Sequence, residues 1–334
     1  MPVLSGQVME QDEDSRTQTM ALRVNARVVA ADGVVLVEFV DPDGHELPTW
    51  QPGAHLELVL PSGLIRHYSL CGDPADTRSY TVAVLRVDSG GGGSREIHDD
   101  DLIGRTLVVR GPRNRFRLVD APSYLLLAGG IGITPIMAMA RQLAGEHADW
   151  TLVYGGRSRT SMAFQEELGA LDAARVQLVP EDVAGRPDFA GLIENVPPGT
   201  AIYCCGPEAM LRHVEGLCEL RGDDVSLHLE RFTPSGKVVE APASGDCAFE
   251  IELKRRGVVL TVPADRSALD VVREVVINHP YSCTQGECGS CEVSVLGGRI
   301  DHRDEVLSDE ERESNEVMML CVSRALSERL VIDL

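Results

Sequence analysis

From Leu22 onward, short runs rich in valine and leucine alternate with clusters of turn-forming residues. The runs Leu22–Ala30, Val34–Val40, His55–Leu60, Tyr80–Val87 and Thr106–Arg110 are separated by Ala31-Asp32-Gly33, Asp41-Pro42-Asp43-Gly44, Pro61-Ser62-Gly63 and the glycine run Gly90–Gly93. Branched residues suit a pleated surface and Gly, Pro and Asp punctuate it, so this stretch predicts a small antiparallel β-barrel. Around Ser123 the texture changes. Residues 123–128 (SYLLLA) form a continuous apolar strand that runs into a glycine turn and then a helical pattern over Pro135–Leu143. Further strands follow at 150–156, 176–180 and 200–206, with helical stretches at 163–171 and 208–221. That alternation predicts a parallel sheet with crossover helices, ending near Leu229. A last unit pairs two strands over 249–262 about a basic turn, adds an amphipathic helix at 267–276, and closes with strands at 291–300 and 330–334.

The polar segments set the boundaries. Residues 1–20 are acidic and without period, which reads as a mobile tail, and 231–246 are dense in Pro, Gly and Ser, as an interdomain linker is. The expected units are therefore 21–119 (barrel), 120–230 (parallel α/β) and 247–334 (small mixed α/β), which fits 334 residues with 43% apolar content.

Net charge of −21 argues against nucleic acid or anionic membranes as partners. The longest apolar run, Tyr124–Ala140, is interrupted by glycines and a proline and falls short of the ~20 residues that span a bilayer. With no export signal recognised, the cytoplasm is the expected compartment.

The most specific chemistry lies at Cys283, Cys288 and Cys291 with Cys321 downstream, a C-x4-C-x2-C…C pattern that matches the plant-type spacing for a [2Fe-2S] cluster. Gly286 and Gly289 let the backbone wrap a small inorganic core. Zinc is the competing metal, but its structural sites usually use two close cysteine pairs and only Cys288 and Cys291 form one. Disulfides fit poorly with an odd total of nine cysteines.

Two other motifs are ambiguous alone. Residues 129–135 (GGIGITP) follow a buried strand and open a helix, where a phosphate meets free N–H groups; Thr134 is placed to cap that helix and Pro135 suits its first turn. The run is not G-x-G-x-x-G, and a structural glycine turn explains it equally well until a second strand-end turn, Cys205-Gly206-Pro207, joins it on the same sheet edge. Arg66-His67-Tyr68-Ser69 offers a cation, rings and a hydroxyl that can hold a phosphate and a planar ring, and Gly90–Ser94 can be either a hairpin loop or a phosphate cradle.

In this order RHYSLCGDP, the GGS of residues 92–94, GGIGITP, CGP, SCTQGECGSCEVSVLGGRIDHRD and CVSRAL resemble the phthalate dioxygenase reductase family, vanillate demethylase reductases included, from about Leu22 to the end. The resemblance implies an FMN-binding barrel, an NAD-binding α/β unit and a β-grasp-like ferredoxin unit. It implies that Arg66 binds the FMN phosphate with Gly92, Gly93 and Ser94, and that Tyr68 packs on the ring with Ser69 near N5. His67 lies within the same motif, Ala83, Val84 and Leu85 line the flavin, and Phe232 covers it. Gly130, Thr134, Cys205, Gly206 and Pro207 would position the nicotinamide, and Ser69, Thr134 and Cys205 would orient the hydride transfer. Where relatives often carry arginine in the phosphate loop, this chain has Gly91. By the same resemblance, the absence of an extra adenine-binding insertion favours FMN over FAD.

The expected activity is electron transfer from NADH through FMN and [2Fe-2S] to a terminal oxygenase of Rieske type, by a monomer. A reductase of a cytochrome P450 or of ferric or flavin compounds is the alternative enzyme, and a non-catalytic iron–sulfur carrier the alternative from another class. Arg157 and Arg159 stand where a 2′-phosphate would lie and keep NADPH chemically possible. Acidic residues outnumber basic ones ten to four over 301–334. That surplus is either a solvated face or a docking surface for a basic patch on the oxygenase.

Overall fold

The structure is a computed structural model that describes residues 18–88, 92–232, 246–277, 279–281, 284–286 and 289–334. Residues 1–17 of the tail expected over 1–20, most of the linker, Gly90, Gly91, Cys283 and Cys288 lie outside these residues.

The alternating runs fold as β1 (Thr19–Ala31), β2 (Val34–Val40), β3 (Ala54–Val59), β4 (Ile65–Ser69), β5 (Ser79–Leu85), the helix α1 (Gly93–Asp99) and β6 (Thr106–Asn114). They make an antiparallel sheet in the order β4-β3-β6-β1-β2-β5, and a bridge between Leu70 and Val82 brings its two edges together. β1 begins inside the segment expected to be a tail, because Thr19 and Met20 pair with Arg110 and Val109. The helix α1 also departs from expectation: Gly92, at φ 85°, turns the chain so that Gly93 starts a helix in what reads as a loop.

Next come β7 (Tyr124–Gly129), α2 (Ile133–Gly145), β8 (Trp150–Gly156), α3 (Gln165–Asp172), β9 (Val176–Pro180), α4 (Glu181–Ala184), α5 (Phe189–Asn195), β10 (Thr200–Cys205), α6 (Glu208–Arg221) and β11 (Val225–Glu230). All five strands are parallel, in the order β11-β10-β7-β8-β9. The order reverses between β7 and β10, so their carboxyl ends open a crevice at a topological switch point. Both strands are buried throughout, which explains their unbroken apolar sequence. β11 is a fifth strand beyond the four expected; its half-buried edge position leaves no continuous apolar run to read.

The C-terminal unit comprises β12 (Phe249–Leu253), β13 (Val258–Val262), α7 (Ala268–Val275), β14 (Glu292–Gly297), β15 (Ile300–Asp301), α8 (Asp309–Ser314), β16 (Val317–Met319), β17 (Arg324–Ala325) and β18 (Arg329–Ile332). A mixed sheet, β13-β12-β18-β14-β16, packs against α7, with Leu269, Val271 and Val272 turned into the core. Among the described residues no helix is long and apolar enough to cross a membrane.

Candidate electron-transfer site

β4 is the strand on which the site is built. Side chains alternate along a strand, so Arg66 and Tyr68 share one side and His67 takes the other. Arg66 lies against the start of α1, where a Cβ on Gly93 would come within 2.6 Å of its Nε. Glycine alone leaves that room, so first-turn N–H groups and a guanidinium stand together where an anionic group can be held. The Ser94 hydroxyl is bonded to Val87, accepting from its N–H at 3.0 Å, and Glu96 accepts from the Ser62 N–H at 2.9 Å. These contacts fix α1 to the loops on either side. Burial pushes the Tyr68 phenol up to about 12, so it presents a neutral ring.

On β5 the alternation divides the three expected flavin-lining residues. Val84 points into the barrel core, whereas Ala83 and Leu85 pack toward the parallel sheet. The Val84 carbonyl accepts from His98 Nε2 at 2.9 Å.

The two strand-end turns touch each other at the switch point. A Cβ on Gly132 would lie 2.2 Å from the Cys205 carbonyl oxygen, and one on Gly206 would lie 3.1 Å from the Gly129 Cα. Gly130, at φ 55°, faces open space. Pro207 is the N-cap of α6 and Gly132 that of α2. Thr134 does not cap α2 as expected: Gly132 is already helical, and the buried Thr134 hydroxyl donates back to the Ile131 carbonyl at 3.1 Å, stiffening the turn. Burial, with Glu230 adding to it, holds the Cys205 thiol well above its ordinary range. It stays protonated, so it can orient a ligand but not attack one.

β11 carries a residue that the sequence reading missed. Glu230 pairs in register with Cys205, and its Oε2 accepts from Ser69 Oγ at 3.3 Å. Burial pushes its carboxyl up to about 8, opposed by the Ser69 hydrogen bond. An acid at the carboxyl end of a strand was the available signal. Phe232, two residues on, is exposed.

In the C-terminal unit Cys291 and Cys321 are both buried, 3% and 7% exposed. The Leu320 N–H donates to the Cys291 carbonyl at 3.2 Å and Glu292 pairs with Met319, so the two cysteines are brought together from distant segments. Gly286 and Gly289 have φ of 77° and 74°, and a Cβ on Gly286 would meet Val322 Cγ2 at 2.7 Å. Buried Asp304 braces the loop, accepting from the Leu307 N–H at 2.9 Å and from Ser323 Oγ at 3.2 Å. Two buried thiols, one in a glycine-shaped loop and one from a distant segment, suit a thiolate-held cluster. Ser290, beside Cys291, meets His67 Nε2 at 2.5 Å.

Comparisons with known proteins place the chain among flavin and iron–sulfur reductases. Residues 251–326 match the 2Fe-2S iron-sulfur cluster binding domain and residues 126–216 the oxidoreductase NAD-binding domain. The chain is 40% identical over 325 residues to the tert-butanol monooxygenase / tert-amyl alcohol desaturase reductase subunit of Aquincola tertiaricarbonis, covering 94% of this chain and 95% of that one. Among solved structures, phthalate dioxygenase reductase aligns with a TM-score of 0.66 at 36% identity, over 95% of this chain and 98% of that one. An intact type IV self-sufficient cytochrome P450 monooxygenase aligns with a TM-score of 0.84 at 39% identity; 95% of this chain is covered, but the chain spans only 41% of that longer one.

Proposed function

The chain belongs to the phthalate dioxygenase reductase family, and from that premise we infer that it is the reductase component of an oxygenase system, passing electrons from NADH through FMN and a [2Fe-2S] cluster to a terminal oxygenase. One observation carries the reading. β4 touches both neighbours, through Ser69 to Glu230 on the nucleotide sheet and through His67 to Ser290 on the cluster loop. When bound, FMN supplies the conversion between the two-electron chemistry of a nicotinamide and the one-electron chemistry of a cluster.

The chain's own work is orientation. Arg66 and the Gly92-Gly93-Ser94 turn hold the flavin phosphate, Tyr68 flanks the ring and Ser69 stands at its edge, with Ala83, the backbone of Val84, Leu85 and Phe232 completing the walls. Gly130, Thr134, Cys205, Gly206 and Pro207 shape the crevice for the nicotinamide and its diphosphate. Glu230 keeps a proton beside Ser69 at neutral pH. Cys283, Cys288, Cys291 and Cys321 hold the cluster. The corresponding units are 21–119, 120–230 and 247–334. Asp309, Glu310, Glu311 and Glu313, all exposed on α8, are the acidic surface on which the oxygenase docks, and the protein acts as a monomer.

A second reading has a specific support: the alignment with the P450 chain makes a P450 an alternative acceptor. Anaerobic stopped-flow mixing with NADH tests the first reading. Flavin absorbance falls first and cluster absorbance follows; a protein whose cluster stays oxidised contradicts it. Reduction of a Rieske oxygenase in preference to a P450 separates the acceptors.

A further inference from the structure

The face of the barrel sheet turned away from Arg66 and Tyr68 carries a polar row. Arg110 on β6, Glu57 on β3 and His67 on β4 are cross-strand neighbours, with Glu57 in register with both of the others. Glu57 is 2% exposed; Arg110 Nη1 donates to its Oε1, and its Oε2 lies 3.6 Å from His67 Nε2. The row ends outside the barrel on Ser290 Oγ, 2.5 Å from His67 Nε2.

A second contact runs beside it. Arg115, one residue past β6, donates through Nη2 to Glu292 at 2.5 Å and through Nη1 to the Val306 carbonyl at 3.2 Å. Its guanidinium lies over Gly289, where a Cβ would stand 3.1 Å from Nε. Ser290 and Glu292 are the two residues that flank Cys291. Both neighbours of a cluster cysteine are thus tied to the barrel, one of them to the residue between Arg66 and Tyr68. Among the described residues, the apolar core of the C-terminal unit, Phe249 to Ile332, contains none from the barrel or the parallel sheet. The contacts described between it and the barrel are hydrogen bonds and an ion pair.

We propose that His67–Ser290 and Arg115–Glu292 form an interdomain latch that positions the cluster loop against the flavin strand, so that Arg115 and Glu292 are positioning residues for transfer between the two cofactors. The latch rests on the function inferred above. It explains why β4 carries a polar ring between its two flavin-facing side chains: alternate residues of one strand address two cofactors. A charge-assisted pair that is three-quarters buried couples loop position to a single geometry, and losing it lets the loop part from the barrel.

The test uses the holoprotein and its variants Arg115→Glu, Glu292→Arg and the charge-swapped double variant. Two quantities are read: hydrogen exchange of amides over 289–307, and the separate stopped-flow rates of flavin and cluster bleaching by NADH. Each single variant is expected to speed exchange and slow cluster bleaching by about tenfold, the size expected for losing a charged hydrogen bond, with flavin bleaching unchanged. The swap restores most of both. Arg115→Gln, which keeps the size and removes the charge, gives the same direction if Arg115→Glu folds poorly. Unchanged exchange and cluster bleaching in the single variants overturn the proposal, as does a swap that restores neither, or a loss of cluster content in place of a slower rate. A protein that NADH does not reduce at all refutes the functional reading instead, while the exchange measurement still decides whether the latch exists.

Discussion

The barrel has two junctions, and they are built from opposite materials. Toward the parallel sheet it shares an apolar core: Val34, Cys71, Ala83 and Phe116 pack in one cluster with Leu126, Ile133, Met137 and Tyr203. Phe116 meets Tyr203 edge to face at 5.3 Å, and Ala138 of α2 reaches into the barrel's own core. Toward the cluster unit the described contacts are polar, through His67, Arg115, Ser290 and Glu292. Apolar burial is non-directional and not weakened by charge screening, whereas ion pairs are directional and screened. At the first junction the proposed flavin and nicotinamide sites face each other across this apolar seam, an arrangement that a rigid, non-directional core can hold. At the second, the proposed latch holds the cluster loop through directional polar contacts.

The largest effect separates the junctions outright. Replacing Cys321 or Cys291 with serine should abolish electron delivery to the oxygenase while NADH still reduces a small artificial acceptor, since the first junction is untouched; loss of both activities in a folded variant would break the division. Next in size is Phe116→Ala, expected to cost ~3–5 kcal/mol in denaturant unfolding. Barrel and parallel sheet should lose stability together while the cluster's visible circular dichroism persists; independent melting of the barrel would show that the seam does not couple them.

Glu230 gives a smaller, pH-dependent signal at the apolar junction. Its folded value, about 8, lies above its ordinary 4.5. The stability it contributes is therefore complete below pH 4.5 and is lost as pH rises through 8. Glu230→Gln should remove that slope, gaining at least ~1 kcal/mol on the native protein at pH 9 and little at pH 5. Parallel pH–stability curves for the two proteins would contradict this. The smallest effect is salt at the polar junction: raising ionic strength should slow cluster bleaching about two- to threefold and leave flavin bleaching unchanged, as screening of partly exposed pairs implies. Equal slowing of both steps would merge the junctions.

The sequence displays whatever repeats locally. Buried strands β7 and β10 announce themselves as apolar runs, and α6 falls where the helical pattern places it. The cysteine spacing and the two glycine turns are short-range features and were readable for the same reason. β11 was not, because an edge strand that is only half buried mixes Ser, His and Glu among its apolar residues. The entry to α2 was misjudged at Thr134, since a glycine that takes up helical angles two residues earlier leaves no trace in composition. Glu230 and the latch were invisible for a deeper reason. Ser69 lies 161 residues from Glu230 and His67 lies 223 from Ser290, and only the assembled sheets bring them together.

In the proposed path, electrons enter at the crevice between β7 and β10 and leave at the cluster loop. Anaerobic titration of the purified holoprotein with NADH, followed by low-temperature electron paramagnetic resonance, tests it most directly. The expected result is the spectrum of a reduced plant-type [2Fe-2S] cluster, growing in as the flavin absorbance bleaches. A flavin that bleaches with no cluster signal, or a colourless protein that contains zinc, would contradict it.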